Sequence, residues 1–223
     1  MATLHVLRVF TGEDGDFGNE LGVFLDGDEV PEDNRQDVAA DLGFSETVFV
    51  DEPAAGKIRI YTPGMELGFA GHPTVGAAWL LAREDAPVEV LRPPAGEVEV
   101  RHEGELTFVA ARAEWSPPWE LEQLPEPSEV DVVDEPPPGR MLPYYWAWED
   151  EEAGTVRARC FSMEDIGEDE ATGSAAIMLA AALERDLTIR QGRGSLLFAG
   201  SLGDDVAEVG GLVVLDEVRD YLL

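Results

Sequence analysis

The chain has one cysteine, one lysine and no apolar run of about 18 or more residues in its 223 positions. The lone Cys160 can close no internal disulfide and build no multi-thiolate metal site, so a reducing cytoplasm is the expected compartment. It lies in the alternating stretch Val156-Arg157-Ala158-Arg159-Cys160-Phe161, where a buried small hydrophobe is the expected role. His5, His72 and His102 are too far apart in sequence for a zinc or iron site, so no metal is expected. With no long apolar run, nothing is expected to span a membrane. The first ten residues, Met1 to Phe10, lack a basic region followed by an apolar stretch and cleavage site, and are expected to form a strand and not an export signal.

Positive charge is scarce as well. Lys+Arg numbers 15 against 47 for Asp+Glu, a formal net charge of −32. Such a chain repels nucleic acid and anionic membrane surfaces, which excludes sequence-independent binding to either. The acidic residues are spread along the whole length, the pattern of a solvated acidic surface. What is abundant is apolar: 44% hydrophobic residues are enough for a core and exclude a disordered chain. The length suits one large domain or two lobes of about 100 to 120 residues.

Period-two alternation predicts strands at Leu4–Phe10, Leu21–Leu25, Thr47–Val50, Lys57–Thr62, Val88–Leu91, Gly96–Arg101 and Leu106–Ala110. A helix is predicted over Asp33–Leu42, stopped by Gly43, and another from near His72 to about Arg83. The segment 114–140 is rich in proline and acid, with Pro117-Pro118 and Pro136-Pro137-Pro138, and reads as an extended connector. Beyond it come strands at Tyr144–Trp148 and Thr155–Phe161 and a helix near Thr172–Arg185. Strands at Ser195–Ala199, Val206–Val209 and Leu212–Leu215 and a short tail end the chain. The expected organisation is α+β, with an N-terminal lobe over 1–113 and a C-terminal lobe over 114–223, each strand-rich and wrapped around one helix.

The two helices resemble one another. Ala70-Gly71-His72-Pro73-Thr74 and Thr172-Gly173-Ser174-Ala175 both open on a small residue or threonine, a glycine and a polar side chain, then turn almost wholly apolar. A helix apolar on nearly every face is buried, so each is expected to run through the middle of its lobe. The spacing, close to half the chain, suggests an internal duplication. A helix start offers unpaired N–H groups and roughly +0.5 of an elementary charge, and glycine lets a ligand approach the backbone. Two such starts facing one cleft would hold a carboxylate and stabilise an enolate. Taken singly, each start is equally an ordinary helix cap.

The order Phe17-Gly18-Asn19, Ser45-Glu46-Thr47-Val48-Phe49-Val50, Phe69-Ala70-Gly71-His72-Pro73-Thr74, Glu168-Asp169-Glu170-Ala171-Thr172-Gly173-Ser174-Ala175 and Arg190-Gln191-Gly192 resembles the PhzF-like family, phenazine-biosynthesis-type isomerases. The resemblance implies a diaminopimelate epimerase-like fold: two lobes of strongly curved, mostly antiparallel sheet around central helices, with the active site in the cleft between them. It also implies proton transfer without a cofactor, on a small carboxylate-containing metabolite, usually in a homodimer. By motif, Glu46 matches the catalytic acid/base, and His72 and Asp169 match polar residues that bind and orient substrate. Gly71, Gly173 and Ser174 match donors at the helix starts, and Asn19 a further substrate-binding residue.

The chemistry is consistent with those residue types. A glutamate can take a proton from carbon and return it if its pKa rises from about 4.3 toward neutrality, and such transfer is worth roughly 10² to 10⁴ in rate. A single acid/base returns the proton on the face it left, which gives an isomerisation. His72 and Ser174 stand where epimerases of this fold carry cysteines, so a two-thiol epimerisation is not expected. Two departures fall where pocket walls and dimer contacts would lie: Glu20 follows Asn19, and Gly192-Arg193-Gly194-Ser195-Leu196 replaces the family's Arg-Pro-Ser element. A non-catalytic carboxylate binder and a dehydratase or lyase on the same fold stay open as alternatives.

Overall fold

The computed structural model describes residues 1–134, 140–162 and 167–223. Pro136-Pro137-Pro138 of the expected connector, and Glu164 and Asp165 beside the candidate Asp169, lie outside the described residues.

Strands β1 (Ala2–Thr11) and β2 (Asn19–Phe24) pair antiparallel, and helix α1 (Arg35–Leu42) follows a 3₁₀ turn at Glu32–Asn34. Gly43 ends α1 in the left-handed region, φ 68°, and its N–H bonds the Ala39 carbonyl, as its place after the helix predicts. Strands β3 (Glu46–Glu52), β4 (Lys57–Tyr61) and β5 (Glu66–Leu67) come next, then helix α2 (Gly71–Arg83). An antiparallel run follows: β6 (Val90–Leu91), β7 (Val98–Glu103) and β8 (Leu106–Arg112). Strand β9 (Glu120–Gln123) and helix α3 (Pro127–Asp131) precede β10 (Pro143–Asp150), β11 (Thr155–Ser162) and β12 (Gly167–Asp169). Helix α4 (Gly173–Leu183) leads to β13 (Leu187–Gln191), β14 (Ser195–Gly203) and the long β15 (Val206–Tyr221). The architecture is α+β.

All the strands belong to one hydrogen-bonded system, ordered β5-β4-β3-β2-β1-β15-β14-β13-β11-β10-β9, with β8 joined to β15, β7 to β8, β6 to β7 and β12 to β11. Strand β15 is the seam. Its first part pairs β14 on one side and β8 on the other; from Leu212 it runs along β1, to Tyr221 opposite Ala2. A division of the chain at 113/114 is therefore not a division of strands, because the last ten residues of β15 complete the sheet begun by β1. Phe10 bulges out of this ladder with φ 65°. Its buried ring lies so close to Gly211 that a Cβ there would sit 2.7 Å from it. Gly210-Gly211, which in sequence reads as a break between two strands, is instead the stretch where one strand squeezes past aromatic rings.

Helices α2 and α4 carry the core. α2 packs against β1, β2, β3, β8 and β15; α4 packs against β14 and β15. Ten of the thirteen residues of α2 and seven of the eleven of α4 are buried, in keeping with their apolar character, and Val75, Leu80, Ile177 and Leu179 share one hydrophobic cluster. Each such side chain contributes about 1.5–3 kcal/mol by leaving water.

Two expectations need correction. The connector over 114–140 is not simply extended: β9 lies parallel beside β10, with Glu120 opposite Pro143, and α3 buries Val130. The expected tail after Leu215 continues β15. One strand is not expected at all: β13 follows α4, and its Leu187, Ile189 and Gln191 point inward in strict alternation, with a buried glutamine disguising the period.

Candidate active site

The two helix starts meet backbone to backbone. A Cβ built on Gly71 would lie 2.7 Å from the Gly173 carbonyl carbon and 3.0 Å from the Ser174 nitrogen; one on Gly173 would lie 3.0 Å from Gly71 Cα and 3.1 Å from the His72 nitrogen. Gly71 leaves no room for a Cβ, and one at Gly173 would require the facing backbone to give by a few tenths of an ångström. Among the described residues, no side chain caps α2 or α4. The first N–H groups of both helices, which have no partner within their own helices, are thus gathered at one point with the positive ends of two macrodipoles. Pro73, in the first turn of α2, has no N–H to contribute.

Glu46 opens β3, which runs parallel to β2, so Glu46 and Asn19 stand at the same end of the sheet. The Glu46 side chain is 16% exposed, and its Oε2 lies 3.4 Å from Nε2 of His72, whose side chain is 5% exposed. Burial holds the His72 pKa down to about 4, against the opposing influence of Asp169 and a hydrogen bond to the Glu20 backbone. The imidazole is neutral at ordinary pH.

Asp169 ends β12, which is anchored on β11 with Cys160 opposite Asp169. Its Oδ1 accepts from Asn19 Nδ2 at 2.7 Å and its Oδ2 from Thr172 Oγ1 at 2.6 Å; Gln191 Nε2 donates to the Asp169 carbonyl and to Thr172 Oγ1, both at 2.8 Å. Burial pushes its pKa up, the Thr172 hydroxyl pulls it down, Glu46 pushes it up again, and His72 and the Ala171 amide pull it down. Behind it lie Cys160 and Tyr144, fully buried, with burial as the largest cause holding both protonated. Cys160 is thus the buried small residue its strand pattern predicts, and it is at neither helix start.

The structure thus places the sequence candidates together. Glu46 touches His72, Asp169 responds electrostatically to both, Asn19 holds Asp169, and Gly71 lies against Gly173 and Ser174. Three residues were not singled out from the sequence. Thr172 and Gln191 fix Asp169, and Trp119 donates its indole N–H to Ser174 Oγ at 2.9 Å. Thr172 and Gln191 stand inside the family-like motifs, while Trp119 carried no signal beyond being an aromatic in a proline-rich stretch. Beside the cluster, a cavity of about 650 Å³ is lined by Asn19, Ser45, Phe17, Phe44, Glu170 and Arg193. Among the described residues, no group of His, Cys, Asp or Glu has the arrangement of a metal site, and no helix is long and apolar enough to cross a membrane.

Residues 7–120 match the model of the PhzC-PhzF family, phenazine biosynthesis-like proteins. The matched part contains Asn19, Glu46, Gly71 and His72. An uncharacterized isomerase of Pasteurella multocida (strain Pm70) is 41% identical over 105 residues, 44% of this chain and 36% of that protein. The trans-2,3-dihydro-3-hydroxyanthranilate isomerase of Pseudomonas fluorescens is 45% identical over 64 residues, 27% of this chain and 23% of that enzyme. The matched stretches thus span well under half the length of these relatives. Among solved structures, a phenazine biosynthesis protein of the PhzF family from Enterococcus faecalis superposes with a TM-score of 0.75 at 20% identity, over 100% of this chain and 99% of that one. A hydroxyproline epimerase from Agrobacterium vitis superposes with a TM-score of 0.64 at 11% identity, over 98% and 91%. The fold is therefore the one expected, an α+β diaminopimelate epimerase-like arrangement.

Proposed function

Because the chain belongs to the phenazine biosynthesis-like (PhzC-PhzF) family, we propose that it is a cofactor-independent isomerase that shifts a proton on a small, carboxylate-bearing, amino-acid-like metabolite. The observation that carries this reading is the contact between Glu46 and His72, 3.4 Å, beside the point where two uncapped helix starts abut. The N–H groups of Gly71, His72, Gly173 and Ser174 take the substrate carboxylate, and the two macrodipoles favour the negative charge that builds on it when a neighbouring C–H is deprotonated. Glu46 removes that proton and returns it to another carbon on the same face. His72, neutral, stands 3.4 Å from the carboxyl that carries the proton. Asp169, held by Asn19 and Thr172, orients a substrate amine or hydroxyl. A reducing cytoplasm, suited to the free buried Cys160, and a homodimer belong to the same proposal.

Glu46→Gln tests it. The variant keeps the shape of the side chain and loses the base. Exchange of substrate hydrogen in D₂O, followed by mass spectrometry on a panel including trans-2,3-dihydro-3-hydroxyanthranilate, should fall by at least about 10²-fold with the fold intact. Full exchange in Glu46→Gln would remove this residue from the mechanism. A product lighter by one water would mark a dehydratase, and binding without exchange in the wild type would mark a carboxylate-binding protein.

A further inference from the structure

Between β8 and β9 the chain crosses the starts of both central helices. Trp115 sets its ring 6.1 Å, centre to centre, from that of Phe69, two residues ahead of α2. Ser116 Oγ then donates to the Ser174 carbonyl at 3.1 Å, and Trp119 Nε1 donates to Ser174 Oγ at 2.9 Å. Trp119 is half-buried and packed against the core, so its indole is held by more than this one bond.

The direction of the last bond has a chemical consequence. An indole nitrogen is a donor only, so Ser174 Oγ must be the acceptor. A hydroxyl has one proton and two lone pairs. With one lone pair taken by Trp119, the hydroxyl is restrained in rotation and its own proton is directed to a different neighbour. We propose that Trp119 is a positioning residue: its indole N–H sets the Ser174 hydroxyl so that it donates to the substrate carboxylate held at the helix starts. This rests on the assignment of Ser174 as a carboxylate donor in the proposed function. It extends that function to a residue of the connector and gives the segment 113–119 a task, the completion of the carboxylate grip. Without the indole the hydroxyl turns among its rotamers and donates to the substrate only part of the time.

Trp119→Phe keeps an aromatic ring and removes the donor. The probe is 3-hydroxyanthranilate, the aromatic counterpart of the substrate named for the Pseudomonas fluorescens relative, with its affinity measured by calorimetry. The bond lost on binding is the one the hydroxyl makes to the carboxylate, so Trp119→Phe should weaken the probe about three- to tenfold. In turnover it should raise KM and leave kcat nearly unchanged. Ser174→Ala should weaken the probe by a similar factor. The double variant should be no weaker than Ser174→Ala alone, because Trp119 acts only through that hydroxyl. A second measurement needs no Trp119 variant: probe binding should move the Trp119 indole N–H resonance in the wild type, and Ser174→Ala should abolish the movement.

Additive losses in the double variant, unchanged affinity in Trp119→Phe, an indole resonance indifferent to the probe, or a wild type that takes up no probe would each overturn the proposal. The affinity cycle requires no catalysis, so its outcome is separable from the test of Glu46. If Glu46→Gln still exchanges hydrogen, the acid/base assignment falls while the cycle still decides the role of Trp119.

Discussion

Replacing Gly71 by alanine probes the contact from which the whole site is built. The new Cβ would sit 2.7 Å from the Gly173 carbonyl carbon, 2.8 Å from Gly173 Cα and 3.0 Å from the Ser174 nitrogen. Non-bonded carbons rest at about 3.5–4.0 Å, so one helix must withdraw by roughly 1 Å. All three obstructing atoms are backbone, and no flexible side chain can swing aside. Overpacking of this kind costs about 1–3 kcal/mol, against which alanine's better helix propensity returns at most about 1 kcal/mol. The net loss of stability should therefore be modest. The functional loss should be larger, because a displacement of about 1 Å between reacting groups costs on the order of 10² in rate. Gly173→Ala meets its nearest atoms at 3.0 to 3.2 Å and should be the milder of the two. Urea unfolding gives the stability, and hydrogen exchange into substrate gives the activity. Gly71→Ala should lose more than tenfold in exchange and be less stable than Gly173→Ala. Wild-type stability and wild-type exchange in Gly71→Ala would show that the helix starts have room to spare, and the two-helix grip would have to be abandoned.

Two further outcomes follow from the polar groups around that contact. The pKa of His72 is about 4 in the folded chain against 6.5 for the free side chain, so the stability associated with its neutral form is present above pH 6.5 and lost as pH falls toward 4. At about 1.4 kcal/mol per pH unit this amounts to roughly 3 kcal/mol, reduced by Asp169, whose raised pKa acts in the opposite direction. Urea unfolding at pH 7 and pH 4.5 should show a smaller acid loss in His72→Asn than in the wild type; equal losses would show that His72 is not the group responsible. Thr172→Val removes the hydroxyl that donates to Asp169 Oδ2 at 2.6 Å and accepts from Gln191 at 2.8 Å. Leaving those buried groups short of a partner should cost about 1–3 kcal/mol, and the acid limb of activity should move to higher pH as Asp169 loses a donor to its ionised form. Thr172→Ser should recover most of both, and a serine variant as impaired as the valine one would count against the hydroxyl.

Much of the site is legible in the amino-acid order. Asn19, Glu46, His72 and Asp169 stand out through the motifs that contain them, and Gly71 and Gly173 through the likeness of two helix openings. Thr172, Gln191 and Trp119 are not legible as site residues. Each acts on another side chain that is distant in sequence or turned by tertiary packing, and nothing local marks a buried glutamine or a half-buried indole as having such a partner. The elements show the same divide. Helices α2 and α4 announce themselves by apolar residues on every face between a glycine opening and a charged end. Strand β13 hides because its inward Gln191 breaks the apolar period, and the proline-rich segment conceals β9, which becomes a strand only by lying beside β10.

The amino-acid order by itself determined the local periods, the two buried helices with open starts, the acidic surface and the residue types able to hold a carboxylate and move a proton. These follow from interactions between residues a few positions apart. Only the tertiary structure decided that β15 closes the sheet against β1, that Gly71 and Gly173 touch, and that Glu46 comes within 3.4 Å of His72. Those contacts join parts of the chain whose proximity is set by packing the whole core at once, and no short-range pattern encodes them.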